Sequence, residues 1–432
     1  MKSLVLANPK RHLDPLESKE ARLFPYYAGF SSVFAEQTLY SFQLGDDAVV
    51  FDPWNGSGTT TSAAAKCGMA GIGGDRNPAM VIVAKASLVS QLDAPSFVPL
   101  AHSLVERATA EGDCYLEVEP LTTWLAPQSA AAFRAIEMEI NRALVSHDHY
   151  QNLNTQDALS RVTPLAAFFY IALFRAARRL LSDFIPSNPT WTKEPGHPSS
   201  RKRPTFTSIS TAFLSEVQNL ASRVLDSRTL FSEDGASISI QLENAESLSL
   251  SSNSVDAVLT SPPYCTRIDY AVATSVELAL LRFTNEQFEH LRRTLTGTST
   301  VERETFEPEE KWGSTCIDFL HRLYNHESKA SKTYYYKNHA QYFRSLYNSI
   351  SETSRILKKK SPCAIVVQDS YYKEIRNDVA QIISEMGEQV GLEFKRKADF
   401  SAKRSMVDVN TRARKYLNRR TNIESVVLFE KN

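Results

Sequence analysis

Short apolar runs, most of them rich in β-branched residues, alternate along this chain with stretches of helical periodicity. Residues 48–51, 70–74, 238–242, 256–260, 363–368 and 425–429 each read as a buried strand. Between them lie amphipathic segments. Residues 59–67 follow the first strand, 342–357 precede the fifth, and 379–390 follow it with Val379, Ile382, Ile383, Met386 and Val390 at helical spacing. Strands that alternate with helices predict a doubly wound, mostly parallel α/β sheet.

Two stretches depart from this alternation. Residues 95–235 read as mainly helical, with a strongly apolar segment at 166–181 that carries Arg175, Arg178 and Arg179 on one side. Ser187-Asn188-Pro189-Thr190-Trp191 then reads as a turn, and 192–204 as a polar loop. Residues 283–335 are polar and turn-rich. Both stretches are expected as insertions in the α/β core. The expected organisation is a core part at 1–94, a helical insertion at 95–235, and a second core part at 236–432 that carries the loop insertion 283–335.

The first strand runs into Asp52-Pro53-Trp54-Asn55-Gly56-Ser57-Gly58-Thr59-Thr60. Glycines there let backbone approach a ligand closely. The strand-end carboxylate supplies acceptors, and the free N–H groups of the helix start supply donors. A second strand ends at Asp75, followed by Arg76-Asn77-Pro78, where an acidic side chain can accept from ribose hydroxyls. Two acidic strand ends with a glycine loop between them suit a nucleoside-type cofactor better than a plain turn. The chain has no Gly-x-x-x-x-Gly-Lys-Ser/Thr, so a nucleotide triphosphatase is disfavoured.

The strand at 256–260 ends in Ser261-Pro262-Pro263-Tyr264. Consecutive prolines stiffen the backbone and remove two N–H donors. The Ser261 hydroxyl and the Pro262 carbonyl can then accept from an amino group, and Tyr264 can stack on a planar base. The exocyclic nitrogen of cytosine or adenine is a poor nucleophile, because its lone pair is delocalised into the ring. Acceptors that grip its N–H groups favour a more pyramidal nitrogen, and attack on a sulfonium methyl then needs alignment and charge placement.

Composition adds limits. Hydrophobic content is 42% and charged content 23%, ordinary for a globular protein. No apolar run reaches the length of a membrane span, and Met1–Ala7 makes a poor signal peptide, so a cytoplasmic protein without a membrane partner is expected. The five cysteines are scattered without C-x-x-C spacing, which suggests neither a metal site nor a disulfide framework. Net charge is +0, but basic residues cluster at Arg201-Lys202-Arg203, at Lys358-Lys359-Lys360 and between Lys395 and Arg420. Such clusters serve either as phosphate-binding surface or as solvated faces.

The DPxxGSGTT and TSPPY segments resemble those of the DNA amino-methyltransferases, which use S-adenosyl-L-methionine to make N4-methylcytosine or N6-methyladenine. The resemblance covers residues 1–90 and 237–432 without the second insertion. It implies a doubly wound, mostly parallel seven-stranded methyltransferase sheet. Residues 24–31, with Phe30, resemble the motif that packs over the methionine part of the cofactor. Asp75, Arg76 and Asn77 resemble the ribose-binding motif. Asn244 and Ala245 stand near the adenine position, with Asn244 where the family often has an acidic residue. The family's chemistry implies DNA as partner, with the target base flipped out of the duplex. Residues 95–235, helped by 283–335, are expected to recognise the target. The serine of TSPPY is commoner among the N4-cytosine enzymes, so cytosine N4 is the expected target and adenine N6 the alternative. The family setting implies a restriction-modification or phage-defence role with cognate restriction or defence proteins. An RNA base methyltransferase and a non-catalytic DNA-recognition subunit are further alternatives.

Other residues admit two readings. Asp269, Tyr270 and Glu277 either shape the target pocket or, for Asp269, pair with Arg267. Tyr334-Tyr335-Tyr336 among Lys329, Lys332 and Lys337 suits either phosphate and base contacts or an aromatic core edge. Cys265 follows Tyr264 rather than a proline, which disfavours C5-cytosine chemistry and marks it as a packing residue. Glu393 and Lys395 form a nuclease-like Glu-x-Lys pair, but their position fits the penultimate strand of the sheet.

Overall fold

The computed structural model describes residues 6–9, 23–25, 29–110, 118–146, 150–186, 190–226, 237–265, 268–302, 306–402 and 422–432. Seven strands form one sheet. They are β1 (Val49–Asp52), β2 (Ala70–Asp75), β3 (Ile238–Leu242), β4 (Ala257–Thr260), β5 (Pro362–Gln368), β8 (Leu392–Ala402) and β9 (Asn422–Lys431). A short hairpin, β6 (Ser370–Tyr372) with β7 (Ile375–Asn377), follows β5. The sheet order is β3-β2-β1-β4-β5-β9-β8. The first five positions pair in parallel, and β9 runs antiparallel to both β5 and β8. The α/β class expected from the alternating pattern is the fold observed.

Period-two alternation explains how the sheet is covered on both sides. Val50, Ala257, Leu259, Ala364, Val366, Val426 and Leu428 face the helices Ser32–Ser41 and Thr59–Lys66. Phe51, Val258, Cys363, Ile365, Val367, Val427 and Phe429 face the other way, onto Ser314–Asn325, Tyr336–Ile356 and Val379–Gln389. Because both faces are buried, these strands read as apolar runs rather than as half-polar ones.

Between β2 and β3 the chain folds into helices, chiefly Pro78–Ala86, Ala94–Ala110, Pro127–Leu144, Pro164–Leu180 and Phe206–Asp226. They share one apolar core that also takes in Val276, Leu278, Leu280 and Leu281 from the segment after β4. No single helix among the described residues is long and apolar enough to cross a membrane. One pair of helices, at 78–86 and 91–108, is long and apolar enough when taken together, but it is bent by 82°. Every residue of Pro78–Ala86 is buried inside the fold.

The expectation of a turn-rich loop at 283–335 is corrected. Asn285–Thr294 and Ser314–Asn325 are helices, and a π-helical turn at Ser331–Tyr335 leads directly into Tyr336–Ile356. Ser314–Asn325 folds because Cys316, Phe319, Leu320 and Leu323 fall on one buried stripe. Asn285–Thr294 is polar almost throughout and is held instead by a capping box between Thr284 and Gln287.

Candidate active site

The chain winds outward in one direction from β1 to β2 and β3, and in the other from β4 to β5 and beyond. β1 and β4 are therefore neighbours at the switch point, with Phe51 opposite Val258. Ligand clefts of such sheets open at the carboxyl ends of the strands at this point. β1 ends there in Asp52 and β4 in Thr260, so segments about 200 residues apart in sequence meet across one strand spacing.

One cleft is lined by both segments. Phe30, Asp52, Pro53, Asn55, Gly56, Ser57, Thr59, Asp75, Arg76, Asn77, Asn244 and Ala245 line it together with Ser261, Pro262, Pro263 and Tyr264. Gly58 and Thr60 stand behind the wall. Gly58 takes a left-handed φ of +84° to start the helix at Thr59, and Thr60 is buried. Tyr26, Tyr27 and Ala28 of the N-terminal motif lie outside the described residues.

Asp52 ties the two segments together. Its Oδ1 accepts from the Thr260 hydroxyl at 2.5 Å and from the Trp54 N–H at 3.0 Å, and its Oδ2 accepts from the Thr60 hydroxyl at 2.7 Å. Burial pushes its carboxyl up to about 6, against the pull of the Thr260, Thr60 and Trp54 hydrogen bonds. Asp75 is also pushed up to about 6 by burial, although the N–H groups of Asn77 (2.8 Å) and Gly56 (3.0 Å) donate to it and favour its charge. Asn77 caps the helix Pro78–Ala86 through its Oδ1, and its Nδ2 reaches the Thr274 hydroxyl at 2.8 Å.

Asn55 fills the space over β2. A Cβ at Gly73 would come within 2.4 Å of its side-chain amide, so only glycine fits there. The Asn55 Oδ1 accepts from Thr61, while its buried Nδ2 has no hydrogen-bond partner among the described residues. Asn244 closes a local turn by accepting the Glu246 N–H, and the neighbouring Glu243 carboxylate accepts from Ser249.

Around the Ser261–Tyr264 segment, backbone groups are held selectively. The Tyr342 hydroxyl donates to the Pro263 carbonyl at 3.1 Å, and the Tyr264 N–H donates to the Tyr270 hydroxyl at 3.2 Å. Ser261 and the Pro262 carbonyl make no hydrogen bond among the described residues, and both face the cleft. Cys265 is buried, with its Sγ 3.7 Å from Asn338 Oδ1.

Several cleft residues escaped sequence reasoning. Ile268, Ala273 and Thr274 follow the Ser261–Tyr264 segment, and Leu295 and Thr296 come from 283–335, whereas Tyr270, already weighed as a pocket residue, also lines the cleft. Arg178 reaches in from Pro164–Leu180. Asp269 and Glu277 each pair with an arginine among the described residues. Asp269 is buried, caps Tyr270–Ala273 and accepts from Arg292 at 2.8 Å and Ser299 at 2.6 Å; Arg267 lies outside the described residues. Glu277 pairs with Arg178. Tyr334 donates to the Ser299 carbonyl and Tyr335 packs on Tyr372, an aromatic edge of the core. Glu393 and Lys395 pair with each other on β8, away from the cleft. The turn residues 187–189 and most of the C-terminal basic cluster lie outside the described residues.

The fold and cleft define a class, an α/β protein with a mostly parallel seven-stranded sheet of the methyltransferase kind and a cleft at its switch point. Within it, the chain is similar to the Type II methyltransferase M.AvaI of Nostoc sp. and to the protein of the same name of Anabaena variabilis. Each is 28% identical over 183 residues, which is 39% of this chain and 38% of the relative. The chain thus spans 38% of the length of the curated relatives it matches, a partial likeness that supports a methyltransferase family. No family model matches the chain.

Proposed function

We propose that this protein is a site-specific DNA methyltransferase that moves a methyl group from S-adenosyl-L-methionine to the exocyclic N4 of a flipped-out cytosine. The carrying observation is that the Ser261 hydroxyl and the Pro262 carbonyl stand uncommitted in the cleft that Asp52 and Asp75 also line. The residues present fit the methyl donor. Asp75 retains acceptor capacity for ribose hydroxyls, Asn244 and Ala245 offer a partly apolar seat for a base, and two buried carboxylates favour a cationic ligand. When bound, the donor supplies an electrophilic methyl on a sulfonium.

The rest of the chemistry belongs to the chain. The Ser261 hydroxyl and Pro262 carbonyl accept the two N–H bonds of the target amino group, which localises the nitrogen lone pair. Tyr264 stacks on the base, and its N–H anchored on Tyr270 fixes the loop. Tyr342 locks the Pro263 carbonyl away from the substrate, so that the Pro262 carbonyl alone is presented. Asp52 holds β1 and β4 in register and thereby sets the distance between donor and acceptor. The nitrogen would gain the methyl as the donor's C–S bond breaks to leave a neutral thioether, and its surplus proton would pass to solvent by way of the Ser261 hydroxyl. The serine of the TSPPY segment favours cytosine, and the partial likeness to a Type II methyltransferase supports a restriction-modification setting.

The test is to express the chain, digest host DNA and RNA to nucleosides, and quantify modified bases by mass spectrometry. N4-methylcytosine in DNA is expected. N6-methyladenine in DNA would reassign the target, and modification confined to RNA would overturn the DNA assignment. Ser261→Ala and Tyr264→Ala are expected to lower methylation by about 100-fold or more while the donor still binds.

A further inference from the structure

Arg178 belongs to none of the sequence motifs, yet it lines the cleft from the helix Pro164–Leu180. Its side chain is only 10% exposed. Nε donates to Glu277 Oε1 at 2.5 Å, and Nη2 donates to Glu277 Oε2 at 3.0 Å and to the Ala273 carbonyl at 2.8 Å. The guanidinium carbon sits 4.9 Å from the centroid of the Phe24 ring. Three of its five N–H groups are thus committed, and the plane is fixed on both an edge and a face. The two hydrogens of Nη1 have no partner among the described residues. A buried guanidinium with one uncommitted nitrogen is a built receptor for a planar anion.

Among the described residues the cleft contains one other arginine, Arg76. It stands beside Asp75 and extends into a second, polar cleft with Glu246, Arg293 and Arg344. Asp75 and Asn244 mark the nucleoside side, by β2 and β3. Arg178 instead touches the N-terminal segment at Phe24 and the helix that follows the catalytic loop. A methyl donor of the proposed kind carries one carboxylate, on its amino-acid tail, and a carboxylate shielded from water needs charge-assisted donors. We propose that Nη1 of Arg178 holds that carboxylate, which makes the helical layer a direct part of the donor site. The proposal rests on the methyl-donor assignment above. Glu277 is a positioning residue here: it fixes the guanidinium plane and leaves Nη1 turned to the ligand.

The experiment compares two ligands that differ only in this group, S-adenosylmethionine and its decarboxylated analogue, by calorimetric titration of the full chain. Wild type is expected to bind the decarboxylated ligand more weakly by about tenfold or more. Arg178→Gln should weaken S-adenosylmethionine by a similar factor and leave the decarboxylated ligand within about twofold. Arg178→Lys, which keeps Glu277 paired and protects the fold, should show the same selective loss. Equal loss on both ligands, or no loss on S-adenosylmethionine, would overturn the proposal while leaving the donor assignment intact. Wild type that binds neither ligand would overturn both.

Discussion

At the scale of single residues, Asp52 and Asp75 are carboxylates that burial makes reluctant to ionise. Both sit at about 6, above the ordinary 3.8. The folded protein without ligand therefore favours their neutral forms, so their favourable contribution to stability is complete below about pH 4 and is lost as pH rises through about 6. Above that, each buried charge costs roughly 3 kcal/mol. A cationic ligand reverses the preference by interacting best with the ionised pair. Donor affinity is accordingly expected to rise severalfold between about pH 5 and about pH 7.5 and then level off, read by calorimetry across that window. Asp52→Asn should flatten the profile, raise the melting temperature of the ligand-free protein near neutral pH, and weaken the donor. An unchanged pH profile in that variant would remove Asp52 from the linkage. The sequence revealed that these acids end two strands. It could not reveal that Thr260, the last residue of β4, donates to Asp52, because that contact exists only once β1 and β4 pair.

At the scale of elements, the strands were legible because burial on both faces makes them apolar throughout, and the TSPPY and glycine segments were legible because turns need special residues. The segment 283–335 was not. Asn285–Thr294 is so polar that periodicity gives no signal, and its start rests on the capping box between Thr284 and Gln287. That helix delivers Leu295 and Thr296 to the cleft and Gly297 onto the catalytic loop. A Cβ on Gly297 would lie 2.7 Å from the Tyr264 carbonyl oxygen, and its φ of +79° is strained for any other residue. Gly297→Ala is expected to push Tyr264 out of place and lower the turnover number about tenfold or more, with donor affinity within about twofold of wild type. Unaltered turnover would show that this loop does not govern Tyr264. Arg178 was equally hidden: its helix looks like plain core, and nothing in the spacing shows which neighbour its arginines meet.

For the whole molecule, the helical layer and the segment after β4 are joined by buried charge as well as by a common apolar core. Arg134, with a fully buried side chain, uses all five of its hydrogens. Nε and Nη2 donate to Glu119 at 3.0 Å each, Nη1 donates to Glu137 at 2.8 Å and to the Leu280 carbonyl at 2.6 Å, and Nη2 donates to the Ala279 carbonyl at 2.9 Å. Those carbonyls end the helix Ser275–Leu280, which also carries Glu277, the partner of Arg178. Glu137 further accepts from the hydroxyls of Tyr150 and Tyr170, and Arg282 lies 3.6 Å away as an ion pair without a hydrogen bond. Arg134→Met nearly conserves volume but strands the Leu280 carbonyl, takes one of two donors from the Ala279 carbonyl and leaves Glu119 and Glu137 short of a cation, so it is expected to destabilise the fold by about 3–5 kcal/mol in urea denaturation. Surviving folded protein should bind the donor more weakly too, because freeing the end of Ser275–Leu280 loosens Glu277 and with it Arg178. A variant that lost stability but kept full donor affinity would confine Arg134 to a structural role. Concurrent loss of both would mean that the helical layer and the methyl-donor site hold their shape as one unit, because the helix that Arg134 terminates is the same helix that aims Arg178.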